Sequence, residues 1–288
     1  MNGPLRRDPG FRWGQRPLVM GVINLTPDSF SDGGRIAGMD QAVRVAARMV
    51  AQGADVLDLG GQSTRPGAEA VGAQRELERL LPPLEAIRSA QPAITLSVDT
   101  FHASVAAAAL AAGADWINDV RGCSGRDPAM LPLIASRGCP YVLMHSRGDS
   151  ESMDDLAVYG DLLAEVRAEL EAATAAALAT GVRREQIVWD PGLGFAKTTE
   201  HNLELLRRLP DLSAPRPGQP VQPYPLLVGP SRKRFIGAVL NEPRPRARLW
   251  GTAAVCALAV AGGAAVLRVH DVGPIAQVAR MARAISPR

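Results

Sequence analysis

Short apolar stretches of this chain run again and again into a polar side chain. Asn24 closes LVMGVIN, Asp58 lies in DVLDLGG, Asp99 closes ITLSVD, Asn118 and Asp119 lie in DWINDV, and His145 closes YVLMH. Asp190 closes QIVWD, Ser231 to Lys233 follow PLLVG, and Arg268 and His270 lie in AVLRVHD. Two chemistries are present. Asp99, Asn118 and Asp190 are acceptors that suit the N–H-rich edge of a heterocycle, where a carboxylate takes two parallel hydrogen bonds. Arg65 in GGQSTRPGA, Arg268 and His270 are cationic and suit a phosphate or pyrophosphate. Glycines beside them let the backbone come close to such a group. The chain has no HExxH, no Walker A motif and no Ser-His-Asp set with readable local spacing. A single Asp at a strand end ordinarily caps a helix or braces a loop. Polar residues at eight such ends are a different matter if the fold makes those ends meet.

The elements between them say that it does. The eight runs are residues 18–24, 55–61, 94–99, 115–120, 141–145, 186–190, 225–229 and 265–271. They are short and almost continuously apolar, as strands buried on both faces must be. Helical patterns alternate with them over 39–53, 73–90, 102–113, 127–138, 155–181, 199–209, 246–263 and 274–285. Val43, Ala46, Ala47 and Val50 form one apolar stripe, and Gly53 follows as a stop. Eight strand–helix repeats in 288 residues describe an α/β fold, a single-domain (β/α)8 TIM barrel spanning 18–288 after an extension of residues 1–17. In that fold the C-terminal strand ends converge on one face. An open doubly wound sheet is the alternative, but no GxGxxG follows the first strand. The proline-rich residues 210–225 read as an irregular loop at the opposite end of the barrel.

Composition narrows the classes. With 47% hydrophobic and 21% charged residues the chain is ordinary globular protein, and a net charge of +3 argues against nucleic acid as a partner. The uncharged stretch Gly251 to Leu267 is dominated by alanine, broken by Gly262-Gly263 and falls short of a membrane span, so no membrane association is expected. Cys123, Cys139 and Cys256 form no CxxC pair, which fits a reducing, cytoplasmic compartment and excludes a Cys-based zinc site. Of 32 basic residues only Lys197 and Lys233 are lysine, so each of the two is worth checking for a role, with survival of a compositional drift toward arginine as the alternative.

NLTPDSFSDGG and GGQSTRPGA, then SVDT (97–100), INDV (117–120), DPGLGFAK (190–197), GPSRK (229–233) and RVHDV (268–272), resemble in the same order the signatures of the dihydropteroate synthases. These are the folate-pathway members of the pterin-binding barrels, and the resemblance runs from about Leu18 to Ile285. It implies condensation of 6-hydroxymethyl-7,8-dihydropterin diphosphate with 4-aminobenzoate to dihydropteroate and pyrophosphate, with Mg2+ and a homodimer. It also implies roles. Asn24 meets the metal and the diphosphate. Asp99, Asn118 and Asp190 hold the pterin, and Lys233 reaches its carbonyl and ring nitrogen and lines the aminobenzoate site. Thr64, Arg65, Arg268 and His270 bind pyrophosphate. Phe30, Thr64, Pro66 and Phe195 shape the aminobenzoate pocket.

Departure of pyrophosphate would leave a cation on the pterin methylene, so catalysis becomes stabilisation of separated charge, and a neutral arylamine needs no strong base. Gln62 departs from the family pattern, which commonly has Glu there, and Arg234 stands where relatives often carry a smaller residue. Arg234 either meets the aminobenzoate carboxylate or points into solvent. A methyltetrahydrofolate-binding methyltransferase domain would share the pterin-edge acids but needs no pyrophosphate site. A catalytically silent pterin-binding paralogue would tolerate loss of Asp99, Asp190, Lys233 or His270, and all four are present. The loop TPDSFSDGG, bounded by glycines, is suited to closing over the site and excluding water. Replacing Phe30 with Gly is therefore expected to raise the KM for aminobenzoate more than the KM for the pterin. Steady-state kinetics with both substrates checks this, and an unchanged ratio overturns it.

Overall fold

Eight parallel strands pair in chain order, and the last returns to the first to close a barrel. They are β1 (Leu18–Asn24), β2 (Val56–Gly60), β3 (Thr95–Asp99), β4 (Trp116–Asp119), β5 (Tyr141–Met144), β6 (Ile187–Asp190), β7 (Leu226–Val228) and β8 (Ala264–Val269). The computed structural model describes residues 16–26, 34–62, 71–215 and 224–286. Helices α1 (Gly34–Ala51), α2 (Ala73–Ala90), α3 (Ala103–Ala111), α4 (Met130–Arg137) and α5 (Leu162–Ala179) follow the first five strands. Then come α6 (Thr199–Arg207), α7 (Leu209–Ser213), α8 (Arg234–Leu240), α9 (Leu249–Ala261) and α10 (Val272–Ile285). The fold is the single (β/α)8 barrel that the alternating pattern predicts.

Side chains alternate along a strand, so every second residue faces the barrel axis. Leu18, Met20, Val56, Trp116, Val142, Val188, Leu227 and Val266 form one buried cluster there and plug the lower barrel. Continuing with the same period leads to Asp58, Asp99, Asn118, Asp190 and Arg268. The inward face is thus apolar below and polar above. The outward face meets the helices through a much larger cluster that includes Leu57, Leu59, Ile117, Leu143 and Leu267. Register aligns the polar layer: Asn24 pairs with Gly60, Gly60 with Asp99, and Asp99 with Asn118. Gly60 leaves an open step between Asn24 and Asp99 in that row.

Three segments differ from the pattern read in the sequence. The helix expected over 155–181 starts only at Leu162, because the Asp161 carboxylate accepts the N–H of Ala164 at 3.1 Å and caps it there. Arg234–Leu240 is helical although its seven residues are too few to show a period. Leu209–Ser213 makes a short helix at the start of the proline-rich segment, with Pro210 in its first turn where no N–H is required. Residues 216–223 of that segment lie outside the described residues, as do residues 1–15 of the N-terminal extension. Arg16, at the end of the extension, is tied to the barrel by two bonds to Asp55 at 2.8 and 2.5 Å.

Candidate active site

The polar layer is organised around Arg268. Its Nε donates to Asp58 Oδ2 and its Nη2 to Asp99 Oδ2, each at 2.6 Å. Asn118 Nδ2 donates to the same Asp58 oxygen at 3.1 Å. These bonds use two of the five guanidinium N–H donors. Asp58 is fully buried and Asn118 nearly so. Burial raises the Asp99 carboxyl, Arg268 pulls it back down, and Asp58 pushes it further up. Asn118 Oδ1, Asp58 Oδ1 and Ser97 Oγ are buried without a hydrogen-bond partner among the described residues. A buried acceptor left without a donor is costly, so this layer is built to receive N–H groups from a ligand.

Asp190 enters from β6 and is buried beside this row. Its Oδ1 accepts the N–H of Gly192 at 2.7 Å, which turns the chain sharply at the strand end. Burial raises the Asp190 carboxyl, and the Gly192 N–H and the Lys233 charge oppose that rise. Gly192 has a φ of +66°, and a Cβ there would lie 1.9 Å from the carbonyl oxygen of His145. The turn leads to Phe195, and the Lys233 ammonium sits 4.2 Å from the centre of that ring. Burial lowers the Lys233 ammonium to about 8, although Asp190 works in the other direction. Phe101, Val120 and Met144 make a small apolar cluster at the mouth, with Phe195 packed against it. A flat ring entering the mouth would find acceptors on one edge, a lysine near the other and apolar side chains against its face.

Lys197 is buried and supports the Phe195 loop from behind. Its Nζ lies 2.9 Å from the Phe195 carbonyl oxygen and 2.8 Å from His145 Nδ1. His145 Nε2 lies 3.1 Å from Glu169, which also pairs with Arg147. Burial and the Lys197 charge push the His145 imidazole down to about 4, so it is neutral: Nδ1 accepts from the ammonium and Nε2–H donates to Glu169. Against burial, the bonds from His145 and Arg147 hold Glu169 at about 2.

On the side of β8, His270 Nδ1 lies 2.9 Å from Ser231 Oγ, which also accepts the His270 N–H at 3.2 Å. Asn24 ends β1 half-buried at the rim. Among the described residues no three His, Cys, Asp or Glu side chains are grouped as metal ligands.

A profile of the family described as Pterin binding enzyme matches residues 20–270. The chain belongs to this pterin-binding enzyme family. It is 49% identical over 275 residues to the dihydropteroate synthase of Synechocystis sp., covering 96% of this chain and 92% of that protein. A longer relative, the folic acid synthesis protein of Schizosaccharomyces pombe, is 43% identical, and the match covers 93% of this chain but 36% of that protein. The structure of dihydropteroate synthase from Clostridium difficile in the presence of pteroic acid matches with a TM-score of 0.88 and 39% identity, over 96% of this chain and all (100%) of that one. The Xanthomonas albilineans dihydropteroate synthase with 4-aminobenzoic acid matches with a TM-score of 0.85 and 42% identity, over 95% and 94% of the two chains.

In this pterin-binding enzyme the mouth brings together Asp99, Asn118, Asp190, Lys233, Phe195 and Arg268, with Asn24 and His270 at strand ends on the same face. Phe30, Thr64, Arg65 and Pro66 lie outside the described residues. Asp119 does not join them: it faces outward and accepts the Tyr141 hydroxyl at 2.7 Å. His145 points away from the mouth toward Glu169. Arg234 is exposed and paired with Asp154 at 2.8 Å. Gln62 Oε1 is buried without a partner among the described residues. The residue pattern left Asp58 without a role beyond its strand end, and Phe101, Val120 and Met144 without any. Inward parity with Val56 points to Asp58, whereas no sequence signal separates the three apolar residues from core. Replacing Gly192 with Ala forces a methyl group against a carbonyl at a positive φ. The expected loss of stability is about 2–4 kcal/mol by urea denaturation, and a loss below about 1 kcal/mol would contradict this geometry.

Proposed function

We propose that the chain catalyses the dihydropteroate synthase reaction, joining 6-hydroxymethyl-7,8-dihydropterin diphosphate to 4-aminobenzoate. It is a transferase of folate synthesis, as its relatives named dihydropteroate synthase are. The observation that carries the reading is the row of buried acceptors at Asp99, Asn118 and Asp190, with Asn118 Oδ1 lacking a donor among the described residues and the Lys233 charge close to Asp190. The amino and ring N–H groups of a pterin supply the missing donors, and the ammonium of Lys233 donates to its carbonyl. Phe195 and Met144 support the ring.

The C–O bond of the pterin methylene breaks and its electron pair leaves with the pyrophosphate. The resulting cation is delocalised into the ring, next to Asp99 and Asp190. Burial makes ionised carboxylates costly, and for the same reason makes them effective partners for a cation formed beside them. The arylamine nitrogen then forms the new C–N bond and loses a proton to solvent. His270 and the donors of Arg268 not used by Asp58 and Asp99 receive the departing diphosphate.

Mg2+ belongs to this reading as an ion carried with the diphosphate. Asn24 offers one amide oxygen at the rim, a donor set that suits an ion keeping most of its water and phosphate ligands rather than an all-protein cage. Bound there, it supplies charge neutralisation to the leaving group. Substitution of Lys233, in contrast, removes a protein group and can be read without reference to the metal.

The reading includes a cytoplasmic location and a homodimer. The three cysteines are free, and no helix among the described residues is long and apolar enough to cross a membrane. The dimer rests on α9, LWGTAAVCALAVA, which has no charged residue. Its Trp250 is 80% exposed and its Leu258 67% exposed, and Met281 and Ile285 of the adjacent α10 are exposed as well. A chargeless helix presenting a tryptophan suits a second copy of itself.

Incubating the protein with both substrates and Mg2+ should release pyrophosphate and dihydropteroate in equal amounts, and Lys233→Ala should abolish both. Pterin binding without turnover would overturn the reading in favour of a silent binding protein. The ammonium form of Lys233 is the competent one, so activity should fall as pH rises through about 8. A flat profile from pH 7 to about 9.5 would remove Lys233 from its role. Trp250→Arg should convert a dimer into a monomer by light scattering. A wild-type protein that is already monomeric would refute the dimer.

A further inference from the structure

Arg248 lies outside the mouth, yet its guanidinium is buried and makes four hydrogen bonds to backbone carbonyls. It comes just before α9, at the end of a short 3-10 turn (Pro245–Arg248), and is 8% exposed. Nη1 donates to the carbonyl oxygens of Arg232 at 3.0 Å and Lys233 at 3.3 Å. Nε donates to that of Glu242 at 2.9 Å and Nη2 to that of Pro243 at 2.7 Å. The first two carbonyls precede α8 and the last two follow it. One planar fork therefore holds both ends of a seven-residue helix whose first flanking residue is Lys233.

The backbone being held is not a relaxed one. Arg232 has a φ of +62°, in the left-handed region that is strained for a non-glycine residue. Its N–H donates to Thr252 Oγ1 of α9 at 3.2 Å, and its guanidinium pairs with Asp271 at 2.7 Å. Such a conformation persists only where several partners fix it, and Arg248 supplies the bond to the Arg232 carbonyl itself. Space for the fork comes from Gly237 on α8. A Cβ there would lie 2.5 Å from both Cζ and Nε of Arg248. The glycine at the end of GPSRKRFIG thus follows from the arginine eleven residues later.

We infer that Arg248 is a positioning residue for Lys233: by bonding the carbonyls on both sides of α8 it holds the lysine over Phe195 and beside Asp190. The inference rests on the proposed function for its effect on turnover, but not for its effect on the lysine. Released from this clamp, the Lys233 ammonium regains solvent, and its titration moves upward from about 8 toward the ordinary lysine value. A residue that only stabilised the fold would leave that titration where it is.

The chain has two lysines, so lysine labelled with 13C at Cε gives two signals, assigned with Lys197→Met. Titration of the full-length protein without substrate reads Lys233 directly. In Arg248→Gln and in Gly237→Ala, which keeps the arginine but displaces its fork, the Lys233 midpoint should rise by at least half a pH unit. In the turnover assay kcat at pH 7 should fall about tenfold or more, beyond any change in folded fraction measured by circular dichroism. An unmoved midpoint in folded Gly237→Ala overturns the inference, as does a loss of kcat that only follows the folded fraction. If both variants unfold, Thr252→Val removes the neighbouring bond to Arg232 and decides by the same midpoint. Inactive wild-type protein with the expected shifts would sink the proposed reaction and leave the positioning role standing.

Discussion

A guanidinium inside a ring of eight strands sets the terms for the rest of the molecule. Arg268 is held by Asp58 and Asp99 at 2.6 Å each, and Asp58 is sealed from solvent. Such charges are stable only together, since removing one partner of a buried pair commonly costs about 3–5 kcal/mol. The apolar plug below them keeps water from rising through the barrel, and the closed hydrogen-bond ladder leaves no edge through which the side chains could relax. The mouth is therefore rigid where acceptors are needed. Its cost is Asn118 Oδ1 and Asp58 Oδ1, buried without donors among the described residues, a cost that a ligand with matching N–H groups relieves.

The two sides of the mouth are built differently. Asp99, Asn118, Asp190 and Arg268 project from strands and inherit the precision of the barrel. Lys233 stands beyond β7 on a loop with a left-handed residue, and that loop is held by bonds from later elements of the chain: Arg248 and Thr252 of the α9 region, and Asp271 ahead of α10. Phe195 is placed by a similar device, with Lys197 holding its carbonyl from within the protein. Both lysines of the chain thus serve one loop-borne side of the site. Arginine does not substitute easily at either place, because a bulky fork fits neither the buried space beside His145 nor the space over a phenyl ring.

Much of this was legible in the residues. Strands buried on both faces must be apolar throughout, so eight runs ending in polar residues announced a parallel barrel and its catalytic face. Parity was the missing step at adjacent polar residues. Asn118 faces the axis because Trp116 does, while Asp119 faces Tyr141, and nothing in the order Asn-Asp distinguishes them without the strand's orientation. His145 and Lys197 are 52 residues apart, a pairing that only the closed topology produces. Arg248 lies among Arg244 and Arg246 and reads as one more solvated charge, until its four carbonyl partners are seen.

Three of the chain's four indoles lie among the described residues, and these three differ optically. Trp116 is sealed in the plug directly below Asn118, and Trp189 is buried on the outer side of β6 with its N–H on Thr174 at 2.9 Å. Trp250 is exposed on the outer face of α9 in the single chain, the face that meets the second copy in the proposed dimer. Buried and hydrated indoles emit at different wavelengths. A chromophore in the mouth therefore quenches the blue part of the spectrum through Trp116, while a partner covering α9 dims or shifts the red part through Trp250. The chain reports occupancy of its two surfaces in two colours, without a label.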